Sequence, residues 1–215
     1  MSEARLAEIG KSTIARLKRA PGVQIVSGIG IDVYLIQNFL TARECGGLIA
    51  MIDADRKPST ILSSDPDPTF RTSESCDLDR WNPFVEAVDA RICKLLGMKP
   101  RQGETLQGQR YAVGQQFKAH HDFFHTDQPY WEDEKTRGGQ RSWTAMIYLD
   151  QPAGGGETMF PDAGFQITPR TGMLLAWNNM DASGKPNHKS LHESLPVTAG
   201  IKNIVTKWYR ERFWL

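Results

Sequence analysis

The sequence predicts an α+β fold with a mostly β core: a jelly-roll-like barrel whose supporting helices come from the N-terminal part of the chain. Three observations predict it. Helical spacing of apolar residues, with capping signals, marks three stretches of the first hundred residues. From Glu104 onward, short β-rich runs alternate with Gly and Pro. The 215 residues, 40% of them hydrophobic, are enough for one compact domain with a real core. The expected organisation is one domain over 1–215, with helical and strand support in 1–100 and the barrel in 104–212.

Residues 3–19 place Leu6, Ile9, Ile14 and Leu17 at roughly helical intervals among charges, as an amphipathic helix lying on a sheet would. After Pro21 and Gly22 the stretches VQIVS and DVYLIQ are β-rich, separated by Gly28 and Gly30. Thr41 and Glu44 have capping-box spacing, which opens a helix to about Asp53. Asn82 as cap and Pro83 at the first helical position open another, which stops at Gly97 and should bury Phe84, Val88, Ile92 and Leu95. Then TLQGQRYAVGQQF, SWTAMIYLD, ETMFP, GFQITP, GMLLAWN, LHESLPV and NIVTKWYRERFW supply seven or more strands. The polar stretch 125–140 is too charged and aromatic for a simple linker and reads as a loop over a site.

Composition excludes several classes of partner. Lys+Arg 26 against Asp+Glu 25 leaves a formal charge of +1, so no basic field points to nucleic acid and no acidic tail points to disorder. The first twenty residues carry charges through their apolar positions, without the uninterrupted apolar run of a signal peptide or membrane span. The expectation is a cytoplasmic protein with no membrane partner. Cys45, Cys76 and Cys93 are odd in number and lack C-x-x-C spacing, which disfavours disulfides and a zinc knuckle.

The chemistry centres on His120-His121-Asp122. Residues i and i+2 of a strand project to one face, so His120 and Asp122 can grip one metal ion together. Two histidines and a carboxylate on one face of an octahedron are the donor set of non-haem iron(II) oxygenases, so a distant histidine is missing. His188 and His192 are the remaining candidates, the first in a turn-rich segment and the second in the β-rich LHESLPV. His125-Thr126-Asp127 repeats the pattern, but it enters the polar stretch where no strand aligns its side chains. His121 should face away from the pair. Ten residues past His192 lies Lys202, at a strand start; it is either a solvated edge lysine or the partner of a dicarboxylate co-substrate.

The segments YAVGQQFKAHHDFF, GGQRSWTAMIYLD, GGGETMFP and LHESLPVTAGIKNIVTKWYRE resemble, in order and spacing over about 105–210, the prolyl 4-hydroxylase family of iron(II)- and 2-oxoglutarate-dependent dioxygenases. Arg71-Thr72-Ser73 resembles the Arg-Thr-Ser segment of that family. The resemblance implies a double-stranded β-helix, with His120, Asp122 and His192 as iron ligands and Lys202 on the distal carboxylate of 2-oxoglutarate. Tyr111 and Thr158 match positions that hydrogen-bond the same carboxylate. Arg141 and Trp208 match positions on the substrate side.

The implied reaction is hydroxylation of an unactivated carbon, in the first instance on a prolyl residue of a peptide or protein. Dioxygen is consumed, succinate and carbon dioxide are released, and ascorbate serves as reductant. Phe117 stands where most relatives have tyrosine, and Asn203 where a tryptophan usually follows the co-substrate lysine. Neither replaces a member of the triad, but both leave room for another side chain, a free amino acid or a small metabolite as substrate. A barrel that only binds 2-oxoglutarate or a peptide is the non-catalytic alternative. The sequence sets no oligomeric state.

Overall fold

The computed structural model describes residues 2–61 and 67–214. Three helices flank the sheet. Helix α1 (Glu3–Leu17) is capped by the Ser2 hydroxyl, which accepts from the Arg5 amide, and it buries Leu6 and Leu17 with Gly10 and Thr13 while Ile9 and Ile14 stay half-buried. Helix α2 (Ala42–Asp55) opens on the expected box: the Glu44 amide donates to the Thr41 hydroxyl and the Thr41 amide to the Glu44 carboxylate. Helix α3 (Pro83–Leu96) is capped by Asn82 and stopped by Gly97 in the left-handed region at φ 73°.

The buried face of α3 differs from expectation. It is Val85, Val88, Ile92, Cys93 and Leu96, so Phe84 and Leu95 are only half-buried. The reason lies on the neighbouring helix. The Phe84 ring packs on Gly47 of α2, where a Cβ would come within 3.0 Å of it, so Phe84 belongs to the contact between the helices rather than to the buried stripe.

The strands are β1 (Val23–Val26), β2 (Val33–Ile36), β3 (Lys57–Pro58), β4 (Glu74–Asp77), β5 (Gln107–Tyr111), β6 (Phe117–His120), β7 (Arg141–Tyr148), β8 (Gly154–Gly155), β9 (Thr158–Phe160), β10 (Phe165–Ile167), β11 (Leu174–Asn178), β12 (His192–Ser194), β13 (Val197–Ala199) and β14 (Lys202–Arg210). An antiparallel sheet runs β1-β2-β11-β7-β14-β5-β4-β3. A smaller one runs β10-β9-β12-β6, and β13 pairs with β8. This is the mostly β, jelly-roll core with helices on one sheet that the sequence predicts.

Alternation along β14 shows why both faces of the large sheet are covered. Val205 and Tyr209 join Leu48, Ile52, Val88 and Ile92 under the helices, whereas Ile204 joins Tyr148, Phe160, Leu175 and Trp177 between the sheets. Cys45, Cys76 and Cys93 are free and buried.

Several elements break the sequence reading. Strands β5 and β6 lie in different sheets because the chain turns between them at Gly114, whose φ is 82°. LHESLPV is two short strands, interrupted at Leu195-Pro196. The 125–140 segment is not a plain loop but holds a short helix, α4 (Trp131–Thr136), whose Trp131 is buried. Among the described residues no helix is long and apolar enough to cross a membrane.

Candidate active site

The register of the small sheet sets His192 directly opposite His120 across the β12–β6 pair. The two rings lie 4.3 Å apart between centroids. Asp122 follows two residues later, but β6 ends at His120 and the chain bends at Asp122, so the bend rather than a common strand face delivers the carboxylate. This corrects the strand argument for His-x-Asp and leaves its outcome intact. One donor atom from each of the three lies within 4.8 Å of the others, the Asp122 oxygens being 3.9 Å from Nε2 of His120 and 3.7 Å from Nε2 of His192.

Each donor is oriented from behind. Nδ1 of His120 faces the Lys118 carbonyl at 2.8 Å and Nδ1 of His192 the Ser190 carbonyl at 2.9 Å, so each Nδ1 donates to a carbonyl and each Nε2 is turned toward the Asp122 carboxylate. Burial pushes the His120 imidazole down to about 3, which keeps it neutral. Burial would raise the Asp122 carboxyl, but His192, His120, Arg141 and the Thr144 hydrogen bond together hold it below the usual range. Thr144 donates to Asp122 Oδ2 at 2.6 Å and accepts from Asn179 Nδ2 at 3.0 Å, both residues being fully buried. Phe117 stacks on the His120 ring at 3.6 Å, with the Arg71 guanidinium 4.8 Å from the Phe117 ring. Two imidazole Nε2 atoms gathered beside a carboxylate suit a divalent ion with nitrogen and oxygen ligands.

Deeper between the sheets a narrow chamber is lined by the triad with Tyr111, Thr158, Trp177, Ser194 and Thr206. Behind Ser194, one of the residues that line it, Lys202 is 0% exposed, and its ammonium donates to Ser194 Oγ at 2.8 Å. Among the described residues no carboxylate stands within ion-pair distance of it. Burial pushes its pKa down to about 7. Position in the sheet excludes the edge-lysine reading, since β14 lies between β7 and β5.

The turn before Thr158 makes room for this lysine. At Gly156 (φ 75°) a Cβ would come within 3.2 Å of the Lys202 side chain, and at Gly155 (φ 73°) within 2.2 Å of the Pro196 carbonyl. Tyr148 donates to the Thr158 hydroxyl at 2.6 Å, leaving the Thr158 proton free for an incoming acceptor. Tyr111 places its ring 5.1 Å from the Lys202 ammonium but spends its hydroxyl proton on Gln109 Oε1 at 2.8 Å. A buried cation with a single hydroxyl partner fits one end of a dicarboxylate.

Outward from the triad opens a groove of about 680 Å³, lined by Phe70, Phe124, Tyr130, Trp208 and Trp214 among others. Arg141 stacks on Trp208 at 4.2 Å and grips Glu104 with two hydrogen bonds of 2.6 and 2.7 Å. Arg210 shares Glu104 at 2.8 Å and reaches Glu134 of α4 at 2.7 Å, which ties the 125–140 segment to the wall. Trp208 Nε1 is buried without a partner among the described residues.

The sequence argument named the histidines that the fold brings together with Asp122 but missed their supports. Thr144, Asn179, Ser194, Gln109 and Glu104 are ordinary polar residues in single sequence, and only pairing across the sheets gives them meaning. The decoy histidines gather elsewhere: His121, His125 and His188 surround Phe123 outside the triad, and His121 Nε2 meets the His188 carbonyl at 3.1 Å.

The fold and donor set are those of the 2-oxoglutarate-dependent dioxygenases, and the profile of the 2OG-Fe(II) oxygenase superfamily matches residues 106–210. The putative prolyl 4-hydroxylase of Acanthamoeba polyphaga mimivirus is 30% identical over 180 residues, covering 83% of this chain and 74% of its own. Human prolyl 4-hydroxylase subunit alpha-1 is 35% identical over 145 residues, 66% of this chain; the match spans only 27% of that longer relative. The viral collagen prolyl hydroxylase of Paramecium Bursaria Chlorella virus-1, solved as its 2OG complex, superposes with a TM-score of 0.65 at 27% identity, covering 82% of this chain and 94% of that one. The chain belongs to the prolyl 4-hydroxylase family of 2OG-Fe(II) oxygenases.

Proposed function

We propose that the protein hydroxylates a prolyl residue within a peptide or protein, with His120, Asp122 and His192 holding Fe(II) and Lys202 pairing with the distal carboxylate of 2-oxoglutarate. The observation that carries the reading is the pairing of two opposite deficits across the residues that line one chamber. The Asp122 carboxylate and the two imidazoles converge in it, and behind Ser194, which also lines it, a buried ammonium has that hydroxyl as its one hydrogen-bond partner among the described residues. When bound, iron and 2-oxoglutarate supply the oxidation that inserts one atom of dioxygen into a C–H bond, with succinate and carbon dioxide as the other products.

The chain's own residues do the positioning. Thr158 can donate to the carboxylate that Lys202 neutralises. Trp177 and Phe160 pack against His192 at 4.8 and 5.6 Å and hold the ring while keeping water from that side. Trp208, with its unpartnered indole N–H, offers a donor for a substrate carbonyl. Prolyl residues as substrate are supported by the names of the similar proteins and by the apolar floor that Phe117 gives the groove beside His120.

A second reading keeps the chemistry and changes the substrate. Phe117 brings no hydroxyl to the groove, and the Arg141 guanidinium is already held by Glu104, so the site has few free donors for a peptide backbone. Mass spectrometry of varied proline peptides with Fe(II), 2-oxoglutarate and ascorbate decides between them. A gain of one oxygen on proline, lost in His192→Ala, is expected. Consumption of 2-oxoglutarate stimulated by small metabolites, with no gain on any peptide, would establish the second reading.

A further inference from the structure

A second cavity, of about 800 Å³, lies on the helix-covered side of the large sheet, where the C-terminal ends of α1 and α3 meet the end of β2. Its floor is Ile36, Phe39 and Leu95, which pack on the core under the helices and stay half-buried because their outer sides face this hollow. Four cations stand around it, Arg16, Arg19, Arg91 and Lys94, and among the described residues no Asp or Glu lines it. In a chain with 26 basic and 25 acidic side chains, so one-sided a rim is a local concentration of charge.

Part of that charge is answered within the fold. Arg91 pairs with Glu44 at 2.8 Å and lies 5.6 Å from the Phe39 ring. Arg16 donates from Nε to the Lys94 carbonyl at 2.7 Å and rests over Gly97, where a Cβ would come within 2.8 Å of it. Arg16 and Lys94 also stand in the last turns of their helices, whose ends carry about half a negative charge each. Setting Glu44 and the two helix ends against the four cations leaves a surplus of about two positive charges. Arg19 and Lys94 are both exposed, and neither forms an ion pair among the described residues.

Shape decides between a small ligand and a larger partner. The volume falls in the range of roughly 300–1,000 Å³ usual for small-molecule sites. Of the large apolar side chains that are exposed, Ile25, Trp81, Val113, Ile201 and Phe213, none lines the hollow. Its apolar surface is therefore confined to a concavity, not spread as the patch that a protein or a bilayer covers.

We propose that this hollow binds a free amphiphilic carboxylate, with a single hydrocarbon tail on Ile36, Phe39 and Leu95 and its head at Arg19 and Lys94. The site is separate from the chamber of the triad, whose apolar lining belongs to the core on the other side of the sheet.

The test is calorimetric titration of the full chain with hexanoate, octanoate and decanoate below their micelle-forming concentrations, with excess 2-oxoglutarate and anaerobic Fe(II) present. Affinity should rise up to about fourfold per added CH₂, fall with salt, and be absent for decyltrimethylammonium, which has the same tail and the opposite charge. Arg19→Glu and Lys94→Glu should each weaken decanoate binding at least about threefold. Ala15→Trp, at an exposed position of α1 that lines the hollow, should abolish it by filling the space without removing a charge. Circular dichroism checks that the three variants fold. The proposal is overturned if none of the acids binds, if decyltrimethylammonium binds equally well, if 2-oxoglutarate displaces decanoate, or if the three substitutions leave its affinity unchanged. Capture on phosphatidylcholine vesicles, or dimerisation lost in Ala15→Trp, without binding of any acid would assign the hollow to a bilayer or to a second copy of the chain and overturn it as well.

Discussion

Lys202 and Lys207 sit five residues apart on β14, both almost wholly buried, and point to opposite sides of the same sheet. Lys207 faces the helices and meets Asp89 of α3 at 2.9 Å. Lys202 faces the space between the sheets and has, among the described residues, only the Ser194 hydroxyl as a hydrogen-bond partner. Removing a cation from water costs several kcal/mol unless a counter-ion repays it. The fold provides that counter-ion for Lys207 and withholds it from Lys202. The same contrast holds for carboxylates. Asp89 has a lysine, whereas Asp122 has a threonine hydroxyl and two imidazoles whose Nε2 atoms face it. One side of the sheet is closed electrostatically. The other holds a negative and a positive deficit, each waiting for a ligand of opposite charge.

Substituting the two lysines separates these roles most sharply. Lys202→Met should reduce 2-oxoglutarate turnover by at least about a hundredfold, the scale of losing a buried charge partner, without lowering resistance to denaturant. Lys207→Met should do the reverse: it strands Asp89 and should cost on the order of 3–5 kcal/mol of stability, while molecules that remain folded keep their turnover. Urea titration beside a succinate assay measures both. Equal destabilisation by the two substitutions would show that Lys202 is a structural residue.

The next largest effect concerns the carboxylate. Thr144→Val preserves shape but removes the hydrogen bond to Asp122, and loss of such an orienting partner typically weakens metal affinity about 10–100-fold. Thr144→Ser should restore most of it. Anaerobic Fe(II) titration of the three proteins measures this. Unchanged affinity in the valine variant would mean that the bend at Asp122 alone positions the carboxylate.

Much of this site was legible in sequence because its chemistry uses rare residue types. His120, Asp122 and His192 stand out among five histidines, and Lys202 stands out by spacing from the last of them. The helices were legible through their caps, since Thr41 with Glu44 and Asn82 with Pro83 act within a few residues. Long-range pairing was not legible. That His192 faces His120 is a matter of register between strands seventy-two residues apart, and no local pattern encodes it. The face of α3 was misread because Gly47, on another helix, decides where Phe84 lies. Lys202 could equally have been an edge lysine until β14 was found between β7 and β5.

The finest distinction between the two sides is in pH dependence. Burial lowers Lys202 to about 7, whereas in the unfolded chain it titrates near the ordinary lysine value of about 10.4. Between these values the unfolded chain binds a proton that the folded protein has lost, so unfolding takes up a proton and this group's contribution to stability rises with pH through that window. Below about 7 both states are protonated and the full cost of burying the charge is felt. Under the proposed pairing of the distal carboxylate with the protonated lysine, binding of 2-oxoglutarate has the opposite sign. Its dissociation constant should be flat below about pH 7 and rise up to tenfold per unit above it, with a proton taken up from buffer on binding. Calorimetric titration of the anaerobic Fe(II) protein between pH 6 and 9, in buffers of different ionisation enthalpy, reads both quantities. A flat affinity without proton uptake across that range would mean that Lys202 stays charged in the free protein, and that the side of the sheet facing the chamber is less desolvated than the packing around Ser194 and Tyr111 indicates.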